Sequence, residues 1–206
     1  MAERTAAAAA DPVLVIDPGH GGADGGASSA EGLLESEVNW DIARRLLALC
    51  RLCGIRAVMT RQDEAPAYPP QADTIRKKKV WDQHQRAALA ADTPGAVLLS
   101  IHQNAFVSPG PHGANVLYAA GEDSLRLAES VLAALTETAL GVPGRSPIAA
   151  PETIYLLATA ECPAVLAECG FLTNPDDAAR LDDAGYRLQT ACALFAGYLH
   201  YIGEDQ

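Results

Sequence analysis

Apolar runs stopped by turn residues recur along this chain and mark out its elements. Val13-Leu14-Val15-Ile16 is a short run, rich in β-branched residues and followed by Asp17-Pro18-Gly19. Such a run reads as a buried strand. Pro lacks a ladder donor and Gly admits positive φ, so the strand stops there. Arg56–Thr60, Val97–His102, Asn115–Ala119 and Ala164–Ala167 read as further strands, and Ile154–Leu157 as a short strand-like piece. Between them the spacing turns helical. Over Glu37–Cys53, the residues Val38, Ile42, Leu46, Leu49 or Cys50, and Cys53 share one face, with Gly54 as the C-terminal stop. Ser124–Leu140 is amphipathic on Leu125, Ala128, Leu132, Leu135 and Ala139, with Gly141 behind it. A Pro-containing loop over 65–72 precedes a polar helix over 73–91, which Asp92-Thr93-Pro94-Gly95 closes. Asn174-Pro175-Asp176-Asp177 supplies a cap, a Pro in the first turn and acids at the positive dipole end, so it starts a helix. A last helix takes up Gly185–Ile202.

This alternation predicts a single α/β domain: a twisted, mostly parallel sheet with helices on both faces. Residues 1–11 read as a disordered lead-in, and 12–206 as one domain without internal repeat. A length of 206 residues with 49% hydrophobic content fits one sizeable core. The formal net charge of −11 argues against nucleic acid as a partner and against general attraction to anionic lipid. No apolar run approaches the roughly 18 residues of a membrane span. The segment MAERTAAAAADP lacks the apolar core of a signal peptide, so either the protein stays inside the cell or a leader lies outside this sequence. The five cysteines do not form a secreted disulfide framework. Cys50 and Cys53 make a C-x-x-C at the end of an apolar stripe and read as small buried residues.

The candidate chemistry sits where strands end. His20 lies just past the first strand, and Gly21, Gly22, Gly25 and Gly26 let the backbone pass close to whatever it touches. A dinucleotide G-x-G-x-x-G fails here, because Asp24 stands at the third glycine position. His102 ends VLLSIH and Glu168 ends AVLA. In open α/β sheets, ligands bind at the carboxyl ends of strands, so these three can share one edge. Two imidazoles and a carboxylate with an open fourth position are what a catalytic zinc site needs. Glu31, Glu35, Glu37 and Glu168 all qualify as that carboxylate, and spacing does not choose among them. Glu35 and Glu37 open a helix, where the dipole alone favours a carboxylate. His84, His112 and His200 read as solvated or structural. Arg76-Lys77-Lys78-Lys79 is the one dense basic run, read either as a solvated helix end or as a rim that meets carboxylates.

VIDPGHGGADGGA, LLESEVNWDIARRL, MTRQD, LLSIHQNA and VLAECGFLTNP occur in that order. Together they resemble the N-acetylmuramoyl-L-alanine amidases of the type-3 amidase family, zinc hydrolases that remodel bacterial cell walls. The resemblance runs from Val13 into the last helix, and the segment from Arg76 to Leu89 looks most like the germination-specific branch, which acts on spore cortex. It implies a sheet of about six strands, in line with the alternation. It implies His20, Glu35 and His102 as ligands of Zn2+, Glu35 being selected by the pattern of Glu, two variable polar residues, Val and Asn. It implies Glu168 as the catalytic glutamate, and Arg61 and Asn104 as residues that support the site or position substrate. The implied partner is peptidoglycan, with a protein activator left open. The implied place of action is extracytoplasmic, at the cell wall. Trp40 departs from the pattern, standing where an aliphatic residue is usual. Three other functions use similar parts: a zinc peptidase of stem peptides, a non-catalytic wall-binding relative, against which Glu168 argues, and a hydrolase of a small cytoplasmic amide.

Overall fold

The computed structural model of the protein describes residues 11–138 and 141–203. In chain order its elements are β1 (Val13–Pro18), α1 (Glu35–Leu52), β2 (Ala57–Met59), α2 (Ile75–Asp92), β3 (Ala96–Asn104) and β4 (Asn115–Tyr118). Then follow α3 (Glu122–Glu137), β5 (Ile148–Ala149), α4 (Tyr155–Ala158), β6 (Ala164–Phe171), α5 (Pro175–Asp182) and α6 (Ala184–Gly203). The strands form one sheet in the order β2-β1-β3-β6-β4-β5. β2, β1, β3 and β6 run parallel, β4 is antiparallel to β6, and β5 runs parallel with β4. The mostly parallel sheet of one α/β domain is therefore present.

Period-2 alternation divides each central strand between two cores. Leu14, Ile16, Leu99, Ile101, Val165 and Ala167 face the larger core, against Ile42 and Leu46 of α1, Leu127 and Val131 of α3, and Leu194 and Tyr198 of α6. Val15, Leu98 and Leu166 face a smaller core, closed by Ala90 of α2 and by Leu156 and Leu157 of α4. Continuing that second set along the strands brings Asp17, Ser100, His102 and Glu168 onto the thinly covered face, at the carboxyl edge. His102 and Glu168 are direct register partners across β3 and β6.

Several boundaries differ from the sequence reading. Ile154–Leu157 is not strand: its residues lead into α4, a single helical turn after a turn bond from Ile154 N to Pro151 O (3.0 Å). A four-residue apolar run carries no period that separates the two states. β5 has no sequence signal, since both its residues are exposed and it pairs only along the edge of β4. α1 begins at Glu35, two residues before the expected start. Cys50 is buried, but Cys53 is exposed, because the helix has ended and Cys53 occupies the cap. The expected lead-in, apart from exposed Asp11, lies outside the described residues, as do Ala139 and Leu140 at the end of the expected third helix.

Candidate metal centre

Past β1 the chain turns sharply. Gly19 N donates to Ile101 O (2.9 Å), and His20 follows at φ 59°, a left-handed conformation uncommon for a residue with a Cβ. Gly21 and Asp24 then exchange backbone hydrogen bonds of 2.8 and 3.0 Å. This tight turn places Asp24 Oδ2 2.9 Å from His20 Nδ1 and points Nε2 the other way, 3.2 Å from Glu35 Oε1. Glu35 is the first residue of α1 and is buried. Its Oε2 accepts from Ala27 N (2.9 Å) and its Oε1 from Gln103 N (3.2 Å). His102 Nδ1 lies 2.9 Å from the same Oε1. One ligand atom from each of His20, Glu35 and His102 lies within 4.8 Å of the others, so these three can hold a metal ion.

The electrostatics favour a cation. Burial alone would raise the Glu35 carboxyl, but the two facing imidazoles hold it well below the usual carboxylate range. Burial opposes charge on His20 as well, yet Asp24 and Glu35 push its pKa up to about 9. Burial lowers His102. Two carboxylates that draw a proton onto His20 also draw a metal ion. A carboxylate on the second ring nitrogen of a ligating histidine fixes its tautomer and aim, and Asp24 stands in that place.

Glu168 faces this group from β6. It lines a cavity of about 270 Å3 together with His20, His102, Lys79, Arg86 and Tyr155. Its Oε2 is buried with no hydrogen-bond partner among the described residues. Burial, then the nearby charge of Glu35, pushes its carboxyl up to about 8 against the opposing effect of His20.

Beneath the cavity Asp17 takes both arms of Arg86, Nε to Oδ1 at 2.6 Å and Nη2 to Oδ2 at 2.5 Å. Ser100 Oγ (2.6 Å) and Thr60 Oγ1 (2.7 Å) donate to the same carboxylate. Behind Glu35, Asn39 Nδ2 donates to Gly19 O (3.1 Å), and Gln103 Nε2 donates to Asn39 Oδ1 (3.1 Å). These bonds tie the His20 loop, α1 and β3 together.

The fold thus gathers His20, Glu35, His102 and Glu168, and leaves Arg61 and Asn104 outside the cavity. Arg61 is buried; its Nη1 donates to Asp63 O (2.8 Å) and Glu64 O (2.6 Å), and its guanidinium lies 4.5 Å over the Trp40 ring. Trp40, the departure from the family pattern, is the platform for that cation. Asn104 turns its Oδ1 back to Ala105 N (2.8 Å). Glu31 and Glu37 are exposed. So are His84, 3.2 Å from Tyr155 Oη, His112, beside Gly110 O, and His200, near Ser130 Oγ. The basic run is a solvated helix end, with Arg76, Lys77 and Lys79 exposed, and Lys79 also stands at the cavity on a carboxylate. Lys77 pairs with Asp73 (2.8 Å), Lys78 lies 5.2 Å over the Tyr68 ring, and Lys79 pairs with Asp24 (2.9 Å). Asp24, Asp17 and Arg86 were not read as site residues from the sequence, and Lys79 was read only as part of the basic run. For Arg86 the Asp82/Arg86 spacing of four gave a signal, but it is the weaker contact, 3.4 Å.

The carboxyl edge of a parallel sheet that brings together two histidines, a carboxylate able to hold a metal ion with them and a facing glutamate is an arrangement suited to metal-assisted hydrolysis. Comparison with known proteins gives the family. A family model described as N-acetylmuramoyl-L-alanine amidase matches residues 14–199, and the chain belongs to that family. The germination-specific N-acetylmuramoyl-L-alanine amidase of Bacillus subtilis is 30% identical over 196 residues, covering 93% of this chain and 80% of that one. The amidase LytC of the same organism is 34% identical over 191 residues, which cover 91% of this chain and 35% of LytC, so the match spans about a third of that longer relative. Among solved structures, the CwlD amidase from Clostridioides difficile, in complex with the GerS lipoprotein, superposes with a TM-score of 0.89 at 29% identity over 95% of this chain and 100% of that chain. AmiC2 of Nostoc punctiforme gives 0.79 at 30% identity, over 93% and 97%.

Proposed function

We propose that this protein is a zinc-dependent N-acetylmuramoyl-L-alanine amidase that hydrolyses the amide between the lactyl group of N-acetylmuramic acid and L-alanine in peptidoglycan. One observation carries the reading: Glu168, with an unpartnered buried oxygen, stands opposite His102 in register beside a two-histidine, one-carboxylate group. His20, Glu35 and His102 are the zinc ligands, a nitrogen and oxygen donor set that zinc accepts. When bound, zinc polarises the scissile carbonyl and makes water available as a nucleophile near neutral pH.

The chain's own residues supply the rest. Glu168 moves protons: its carboxyl takes one from the attacking water and returns it to the departing amine of L-alanine. That amine leaves poorly as an anion, so protonation is needed for the bond to break. Burial raises the Glu168 carboxyl in the metal-free site, and a bound cation would lower it again, so the group is suited to both transfers. Asp24 holds the His20 ring, and Arg86, paired with Asp17 and Asp82, fixes the cavity floor. Arg61 and Asn104 support loops next to the site.

The chain acts outside the cytoplasm, on the wall or spore cortex. The relatives named as cell wall and germination-specific amidases support this setting. A protein activator fits the complex that the similar CwlD amidase forms with a lipoprotein. Among the described residues, no helix is long and apolar enough to cross a membrane.

Digestion of purified peptidoglycan by the zinc-loaded protein, followed by amino-terminal labelling, tests the bond assignment. New alanine ends without new reducing sugar ends are expected. New ends at diaminopimelate or D-alanine would identify a peptidase, and new reducing ends a glycosidase.

A further inference from the structure

Lys79 stands on α2, the helix that walls the cavity, and reaches across to the turn that carries His20. Its Nζ lies 2.9 Å from Asp24 Oδ1, while Asp24 Oδ2 lies 2.9 Å from His20 Nδ1. One carboxylate is therefore divided between a helix cation and a histidine ring. We infer that Lys79 is a positioning residue for the metal: by holding Oδ1 of Asp24 it keeps Oδ2 on His20 Nδ1, and so fixes the aim of His20 Nε2. This inference rests on the zinc reading of the same site.

The loop does not hold that aim alone. Gly19, Gly21, Gly22, Gly25 and Gly26 surround the two residues, and His20 itself sits at φ 59°. A left-handed residue with a Cβ is strained and persists only when its surroundings over-determine it. Besides Lys79, among the described residues Asp24 Oδ1 receives only a long bond from Gly26 N, 3.3 Å. The Asp24 side chain keeps 18% of its surface exposed, so without Lys79 it can turn toward water.

Two effects of Lys79 oppose each other. Its charge repels a dication, and on that ground alone its removal would tighten zinc binding. Its grip on Asp24 orients a ligand, and on that ground its removal loosens zinc. Asp24 neutralises the ammonium at contact distance, which leaves little net field at the metal, whereas the grip acts through two direct hydrogen bonds. The grip therefore wins, and the sign of the change decides between the two. An ordinary ion pair that adds only a little stability would leave the metal untouched.

Zinc affinity measured by chelator competition, with melting of the zinc-free proteins alongside, tests this. Lys79→Met is expected to bind zinc about tenfold more weakly, the low end for losing an outer partner of a ligating histidine. Lys79→Arg should restore most of the affinity, because it rebuilds the ion pair. Asp24→Asn should weaken binding at least as much as Lys79→Met, and Lys79→Met should cause no further loss in that background, where the unpaired ammonium only repels the ion. Unchanged or tighter zinc in Lys79→Met, with or without a shift in melting, would overturn the positioning role. A wild-type chain that binds no zinc would overturn the metal reading itself, and this role with it.

Discussion

Arg86 and Asp17, 69 residues apart, form a two-pronged ion pair buried under the cavity, with contacts of 2.6 and 2.5 Å. Both side chains are almost wholly withdrawn from water. Breaking such a pair from one side leaves an uncompensated buried charge, which costs about 3–5 kcal/mol. Arg86→Met is expected to lower the urea midpoint by a corresponding amount, while Arg86→Met combined with Asp17→Asn recovers part of the loss. A single variant as stable as wild type would mean that the pair contributes nothing.

The same pair sets an acid dependence. Burial would raise the Asp17 carboxyl, but Arg86 and the bonds from Ser100 and Thr60 bring it down to about 2. A group depressed in the folded state stabilises above its unfolded pKa and loses that stability as pH falls through the folded one. The contribution, about 2 kcal/mol from the size of the shift, is thus complete above about pH 4 and fades toward pH 2. In Arg86→Met burial acts on Asp17 without its counter-charge, so the contribution reverses and stability improves on acidification. Urea titrations at several pH values should show the wild-type and variant curves converging as pH falls; parallel curves would exclude the linkage.

Glu168 is expected to serve turnover and not metal binding. Glu168→Gln should keep zinc and fold, because it removes a charge that burial already disfavours. Its turnover should fall roughly 10²- to 10⁴-fold, the scale of a general acid–base group. Loss of zinc in this variant would make Glu168 a ligand, and near wild-type turnover would leave proton transfer to another residue.

His20→Ala, His102→Ala and Glu35→Ala should each lose most bound zinc, whereas His84→Ala, His200→Ala and Glu37→Ala keep it. Metal analysis of the purified variants decides this, and a zinc-free Glu37→Ala beside a zinc-loaded Glu35→Ala would move the ligand by two residues.

Gly19→Ala provides a test without touching a ligand. An added Cβ would stand 2.3 Å from His102 Cε1 and Nε2, so the ring must move. At Gly26 it would stand 2.5 Å from Glu35 Oε2, on a backbone with φ 69° that a side chain resists. Both variants should bind zinc much more weakly than wild type in the same metal analysis, and full occupancy would show that the site tolerates displaced ligands.

The local pattern of the chain determined the strands, most helices and the polar residues that end the strands. His20, His102 and Glu168 were legible because each closes an apolar run, and strand ends share an edge once the sheet is parallel. Such signals span a few residues, over which alternation and turn chemistry act directly. The choice of Glu35 came from the family pattern; the residues alone left it level with Glu31 and Glu37, and burial of its side chain by the returning loop sets it apart. Only the tertiary path decided the partnerships of His20 with Asp24 and Lys79, of Asp17 with Arg86, and of Arg61 with Trp40. Most of these join residues tens of positions apart, and no local period encodes which distant charge will arrive. α4 and β5 stayed illegible for the opposite reason: they are too short to carry a period, and packing against Leu98 and Leu166 or edge pairing with β4 sets their conformation. Arg61 came from the family pattern as a residue that supports the site or positions substrate, and only the tertiary path set its neighbours, the Asp63 and Glu64 carbonyls and the Trp40 ring.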